Sequence, residues 1–145
     1  MKNNIKKPLV IFEIANNHMG NFKHAKKIIS ECLKLKKNFS KKIDFALKFQ
    51  FRDLDTYIHK SYKNTDHSQV NRFESTKFSD YEWISLINYA KKDFKLICTP
   101  FDEISVNKVL KFKFDIIKIP SCSMNEWPFL EYFSKKIKKK KLFVA

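Results

Sequence analysis

Glycine occurs once in these 145 residues, and the 30 Lys and Arg side chains include only two arginines, Arg52 and Arg72. Nucleic-acid surfaces lean on arginine, whose planar fork pairs bidentately with phosphates and bases. A net charge of +15 carried almost wholly by lysine therefore reads as a general lysine bias rather than a dedicated nucleic-acid surface. Abundant Asn, Ile and Phe beside scarce Gly, Arg and Ala is the composition an AT-rich coding sequence produces. No apolar run approaches the ~20 residues of a membrane span. The stretch 9–14 is short, is interrupted by Glu13 and is followed by no small-residue cleavage site, which argues against a signal peptide. Cys32, Cys98 and Cys122 are widely separated and odd in number. This excludes a disulfide framework and points to free thiols in a reducing cytoplasm. There is no low-complexity segment or linker at which to draw a domain boundary.

What is present is enough apolar material for one core: 43% hydrophobic residues, 15% aromatic. The length suggests one domain. Short apolar segments at 9–14, 45–51, 96–99, 116–119 and 142–145 read as strands. Amphipathic stretches lie between them. Ala25, Ile28, Ile29, Cys32 and Leu33 share one helical face. Ser79 and Glu82 form a capping box ahead of Trp83, Ile84, Ile87 and Ala90. Asp102 caps a short helix carrying Ile104 and Val109. Asn125 caps the last helix, with Pro128 in its first turn. Alternating strands and helices predict an α/β fold with parallel pairing and right-handed crossovers. About five parallel strands and four helices are expected, and the family resemblance carried by the motifs below implies that they form a partial TIM-type (β/α) barrel. The connection 52–78 is long, polar and aromatic, as binding loops often are.

Parallel α/β folds bind ligands at the C-terminal ends of their strands. The first strand ends in Glu13, followed by Asn16, Asn17, His18 and Gly20. In the second, Ala46, Lys48 and Gln50 alternate with Leu47, Phe49 and Phe51. The apolar set predicts the helix-facing side, so Lys48 and Gln50 look into the barrel mouth. The third strand ends in Thr99, and the fourth carries Lys118 before Ser121. Two inward ammonium groups with nearby hydroxyls suit a small substrate bearing phosphate and carboxylate. Glu13 serves as an acid/base, as an orienter of a hydroxyl, or simply as an ion-pair partner of one of the lysines.

Glu13-Ile14-Ala15-Asn16-Asn17-His18-Met19-Gly20, Leu47-Lys48-Phe49-Gln50, Thr99-Pro100-Phe101-Asp102 and Lys118-Ile119-Pro120-Ser121 resemble, in order, the N-terminal half of the sialic acid (N-acetylneuraminate) synthase family. The resemblance implies a barrel enzyme that condenses phosphoenolpyruvate with N-acetylmannosamine or a related sugar, giving a nine-carbon 2-keto acid and phosphate. It places Lys48, Lys118, Thr99 and Ser121 at phosphoenolpyruvate, Gln50 at the sugar and Glu13 as the catalytic carboxylate. Asn17, from the first motif, joins the substrate-binding set. The family's acidic residue two positions past the serine is Ser123 here.

The resemblance also implies a divalent metal, Mn or Mg, held by histidines of later strands. Its ligands are not expected in this chain, and His18, His24, His59 and His67 show no ligand spacing. His18 is expected to orient the loop after the first strand. The chain reads as a single domain, 1–145, the N-terminal half of such a barrel truncated inside its fifth strand. Its expected associates are phosphoenolpyruvate, an amino-sugar acceptor and a second copy or complementary half-barrel, with no membrane and no nucleic acid. Two other readings stand beside it: a lysine-rich interaction module, and another phosphoenolpyruvate-using sugar-acid synthase.

Overall fold

A computed structural model describes residues 7–137 and 141–144. Its element order is β1 (Leu9–Glu13), α1 (Phe22–Phe39), β2 (Asp44–Phe51), α2 (Leu54–Tyr57), α3 (Ser68–Ser75), α4 (Asp80–Ala90), β3 (Lys95–Pro100), α5 (Glu103–Lys111), β4 (Ile116–Ile119), α6 (Trp127–Lys136) and β5 (Lys141–Val144). The strands form one five-stranded sheet in the order β1-β2-β3-β4-β5. Every pairing is parallel. Sequential parallel strands joined through helices make an arc of a (β/α) barrel. Ala145, which the sequence puts in the last strand, and 138–140 of the lysine-rich tract lie outside the described residues.

Strand alternation separates two faces. Leu47, Phe49 and Phe51 of β2, Leu96 and Cys98 of β3, and Ile117 and Ile119 of β4 point to the helices and join the main core. On the opposite face Ala46, Ile97 and Ile116 form a small apolar floor of their own. The main core is strongly aromatic. Phe51 packs on Trp83, Phe112 and Phe114 with ring centroids 4.9, 5.9 and 5.5 Å apart. Among the described residues β1 has one neighbour only, and Leu9, Val10 and Ile11 remain 36%, 38% and 40% exposed.

The helix starts follow the sequence closely. Ser79 and Glu82 make the reciprocal capping box of α4. The Asp102 side chain accepts from Ser105 N at the start of α5. On α1, Ala25 and Ile29 are buried, with Ile28, Cys32 and Leu33 packed beside them. α6 departs from expectation. It is capped at Glu126, without a side-chain hydrogen bond. The carbonyl of Asn125 instead accepts the Trp127 N–H at 3.2 Å in a turn ahead of the helix.

The helix count also exceeds the expected four, because the connection 52–78 folds into α2, a 3-10 turn at Lys60–Tyr62 and α3. These pieces are too short for hydrophobic periodicity to reveal. Contacts from elsewhere hold them. Tyr57 meets Phe73 and Phe101 at 6.0 and 5.9 Å, and Asn16 Nδ2 donates to Thr76 Oγ1 at 3.1 Å. The single glycine sits at this junction. Gly20 has φ +68°, and a Cβ there would lie 2.2 Å from the Ser75 carbonyl oxygen. Left-handed backbone and close approach of a second segment both require glycine.

Candidate functional site

The strand register builds a polar wall above the apolar floor. Glu13 lies opposite Lys48, and Gln50 opposite Thr99. Ile97 lies opposite Ile116, so Lys118, two residues along β4, shares the face of Thr99. Glu13, Lys48, Gln50, Thr99 and Lys118 thus come from four neighbouring strands and line one side of the sheet near the strands' C-terminal ends. The Lys48 ammonium is mostly buried and pairs with Glu13 Oε2, while the Glu13 side chain stays 41% exposed. Lys118 makes no ion pair among the described residues.

The pair belongs to a longer chain of contacts. Glu13 Oε1 accepts the Ala15 N–H at 3.1 Å and, more loosely, Gln50 Nε2 at 3.4 Å. Arg52 Nη2 donates to Gln50 Oε1 at 2.9 Å. Gln50 and Arg52 border a cleft of about 70 Å³ that also touches Asn16, Phe73 and Thr76. The cleft adjoins the wall at Gln50 alone and has room for a small group. The broad lysine-bearing surface is the open inner face itself. Thr99 Oγ1 is buried there with no hydrogen-bond partner among the described residues. A buried hydroxyl without a partner is held ready for a ligand or water. The neighbouring Cys98 is fully buried. Burial pushes its thiol well above the usual range, against the opposing charge of Lys48.

Ser121 and Asn17 stand apart from this hydrogen-bonded group. Ser121 is exposed in a 3-10 turn, Ser121–Ser123, beyond β4, and Asn17 is exposed in the loop after β1. Ser123, at the position of the family's acidic residue, is 1% exposed. His18 is buried in that first loop. Its ring stacks on Phe78 at 4.3 Å and meets Trp83 edge-on at 5.6 Å. Nδ1 accepts the Gly20 N–H at 3.2 Å, so the neutral ring carries its proton on Nε2. Burial, helped by the charge of His24, lowers its pKa to about 4. His18 therefore orders the loop. No three His, Cys, Asp or Glu side chains converge on a metal position among the described residues. The described residues do not fit the divalent ion the resemblance implies.

Arg52 and Asn16 stand out in the sequence, as a rare arginine and as part of the first motif, but carry no expected site role there. An available signal was the rarity of arginine. In a chain that otherwise uses lysine, an arginine beside the Lys48 motif marks a place where a flexible ammonium does not suffice.

Comparison with known proteins gives this wall a setting. The chain is 30% identical over 138 residues to the N,N'-diacetyllegionaminic acid synthase of Campylobacter jejuni, covering 93% of this chain and 41% of that one. A solved structure from Chromobacterium violaceum, described as a spore coat polysaccharide biosynthesis protein E, is 42% identical with a TM-score of 0.86 over 95% of this chain and 40% of that one. The N-acetylneuraminic acid synthetase of Leptospira borgpetersenii shares the fold at 23% identity, TM-score 0.72, over 94% of this chain and 46% of that one. The chain thus spans about two fifths of the length of these relatives. No helix of the described residues is long and apolar enough to cross a membrane. Residues 35–145 match the NeuB family, so the resemblance read from the four motifs holds and the chain belongs to that family.

Proposed function

We propose that this chain is the N-terminal, phosphoenolpyruvate-holding half of a sialic-acid-type synthase acting in surface carbohydrate biosynthesis in the cytoplasm. The observation that carries the reading is the polar wall: Lys48 on β2 and Lys118 on β4 flank Thr99 on one face. Two ammonium groups match the carboxylate and phosphate of phosphoenolpyruvate, and Thr99 and Ser121 supply hydroxyl donors. Gln50 and Asn17 meet the amino-sugar acceptor.

In the proposed reaction, carbon 3 of phosphoenolpyruvate attacks the aldehyde carbon of the open-chain sugar, forming a C–C bond. Water adds at carbon 2, and the C–O bond to phosphate breaks, leaving a nine-carbon 2-keto acid and inorganic phosphate. In this reading Glu13 carries a proton between water and the developing hydroxyl, a role supported by its ion pair with Lys48 and its partial exposure to solvent. The relatives' greater length supports a domain of which residues 1–145 are one half. Catalysis then also draws on a second half-barrel, on the same chain, a complementary one or a second copy.

The test is calorimetric titration of phosphoenolpyruvate, followed by phosphate release with N-acetylmannosamine and manganese. Lys48→Ala and Lys118→Ala should each weaken phosphoenolpyruvate at least tenfold, the loss of one charge-assisted contact. Binding that neither substitution alters would remove the site assignment.

A further inference from the structure

Arg52 is held more firmly than a rim cation needs to be. Its guanidinium carbon lies 3.7 Å from the centroid of Phe101, 4.6 Å from Phe73 and 5.7 Å from Tyr57. Those rings come from the turn after β3, from α3 and from α2 respectively. Three separate segments thus fix the plane of one side chain. The other arginine, Arg72, approaches the same Phe73 ring at 5.6 Å. Both arginines of a lysine-biased chain therefore address one ring, where a flat cation stacks and an ammonium does not.

The hydrogen bonds of Arg52 are unevenly spent. Nη2 donates to Gln50 Oε1 at 2.9 Å. Nε is buried and has no partner among the described residues. Burial lowers the Arg52 pKa, and a hydrogen bond that the guanidinium donates to the Tyr57 hydroxyl opposes the shift. The ion is thus desolvated rather than merely resting on the surface.

The contact has a directional consequence. Arginine can only donate, so the Gln50 atom facing it must be the carbonyl oxygen. An ionised Glu13 can only accept, so the Gln50 atom facing it at 3.4 Å must be nitrogen. Both ends fix the same orientation of the amide.

We propose that Arg52 is a positioning residue that locks the Gln50 amide with its NH2 group toward Glu13, so that on the Glu13 side Gln50 meets the acceptor sugar as a hydrogen-bond donor. The site then favours an acceptor presenting an oxygen there, such as an N-acyl carbonyl, over one presenting an ammonium. The identity of the ligand rests on the function proposed above; the locked amide does not.

The experiment has two readouts. In the ligand-free 15N-labelled chain, the Gln50 side-chain amide pair is assigned by its loss in Gln50→Leu. Arg52→Lys, which keeps the charge and loses the fork, should shift that pair while the backbone amide spectrum stays folded. In titrations, Arg52→Met and Arg52→Lys should leave phosphoenolpyruvate within about twofold of wild type. Both should cut the preference for N-acetylmannosamine over mannosamine about tenfold, the worth of one oriented hydrogen bond. An unmoved Gln50 amide pair in Arg52→Lys would overturn the proposal, as would equal weakening of both ligands. If the unmodified chain takes neither ligand, the proposed function fails, and the amide resonances still decide the role of Arg52.

Discussion

Asp102 ties the ends of two strands together: its Oδ2 accepts the backbone N–H of Asp53 at 2.7 Å while its Oδ1 accepts that of Ser105 at 2.7 Å. One carboxylate thus caps α5 and anchors the chain as it leaves β2. Asp102→Ala removes a helix cap and strands a half-buried N–H. The expected loss is about 2 kcal/mol, measured by urea unfolding. Asp102→Asn, which keeps an acceptor, should recover about half of it. Equal stability of wild type and alanine variant would show that the contact is not formed.

In the proposed site, Glu13 competes with a bound anion for the Lys48 ammonium. Glu13→Gln frees the Lys48 ammonium while leaving a side chain of the same shape. Phosphoenolpyruvate should then bind about threefold tighter, the size of a partly exposed ion pair, while phosphate release falls. Weaker binding in Glu13→Gln would mean that the carboxylate organises the site instead of competing for it.

His18 gives stability a pH dependence. Its folded pKa of about 4 lies below the ordinary 6.5, so between those values the unfolded chain holds the extra proton. Stability should fall as pH is lowered from 6.5 through about 4 and change no further from this source below that. The full shift is worth up to about 3 kcal/mol. His18→Asn, which keeps an acceptor for the Gly20 N–H, should flatten the slope of the urea midpoint across that window. A slope that persists in the variant would assign the dependence to other groups.

Gly20→Ala tests the junction between the first loop and α3. The added Cβ would meet the Ser75 carbonyl oxygen at 2.2 Å, at a φ of +68° that alanine resists. The expected cost is about 2 kcal/mol or more. It should appear with enhanced proteolysis of the connection 52–78, since the strap must lift to make room.

The faces of the sheet were legible because alternation is a strong local signal. Leu47, Phe49 and Phe51 could only be a buried set, and that placed Lys48 and Gln50 opposite them. Ser79 and Asp102 were legible as caps because capping acts within one turn. α2 and α3 were not, because what fixes them is tertiary: the Tyr57–Phe73–Phe101 cluster joins residues far apart in sequence. Asn125 misled because Asn caps well in general, whereas here its carbonyl closes a turn one residue early. The Glu13–Lys48 pair was foreseen as an alternative to a free carboxylate. The link onward through Gln50 to Arg52 was missed, because a stacked arginine leaves no periodic trace.

The open edge of β1 and the charge of +15 have opposed effects on colloidal behaviour. A strand with one edge unpaired among the described residues, and with Leu9, Val10 and Ile11 in solvent, invites edge-to-edge association, while like charge holds copies apart. Salt shortens the reach of that repulsion from ~10 Å at 0.1 M to ~3 Å at 1 M and leaves the apolar edge as sticky as before. Light scattering should therefore register growing particle mass as sodium chloride is added, the reverse of what a protein clumping through ion pairs would do.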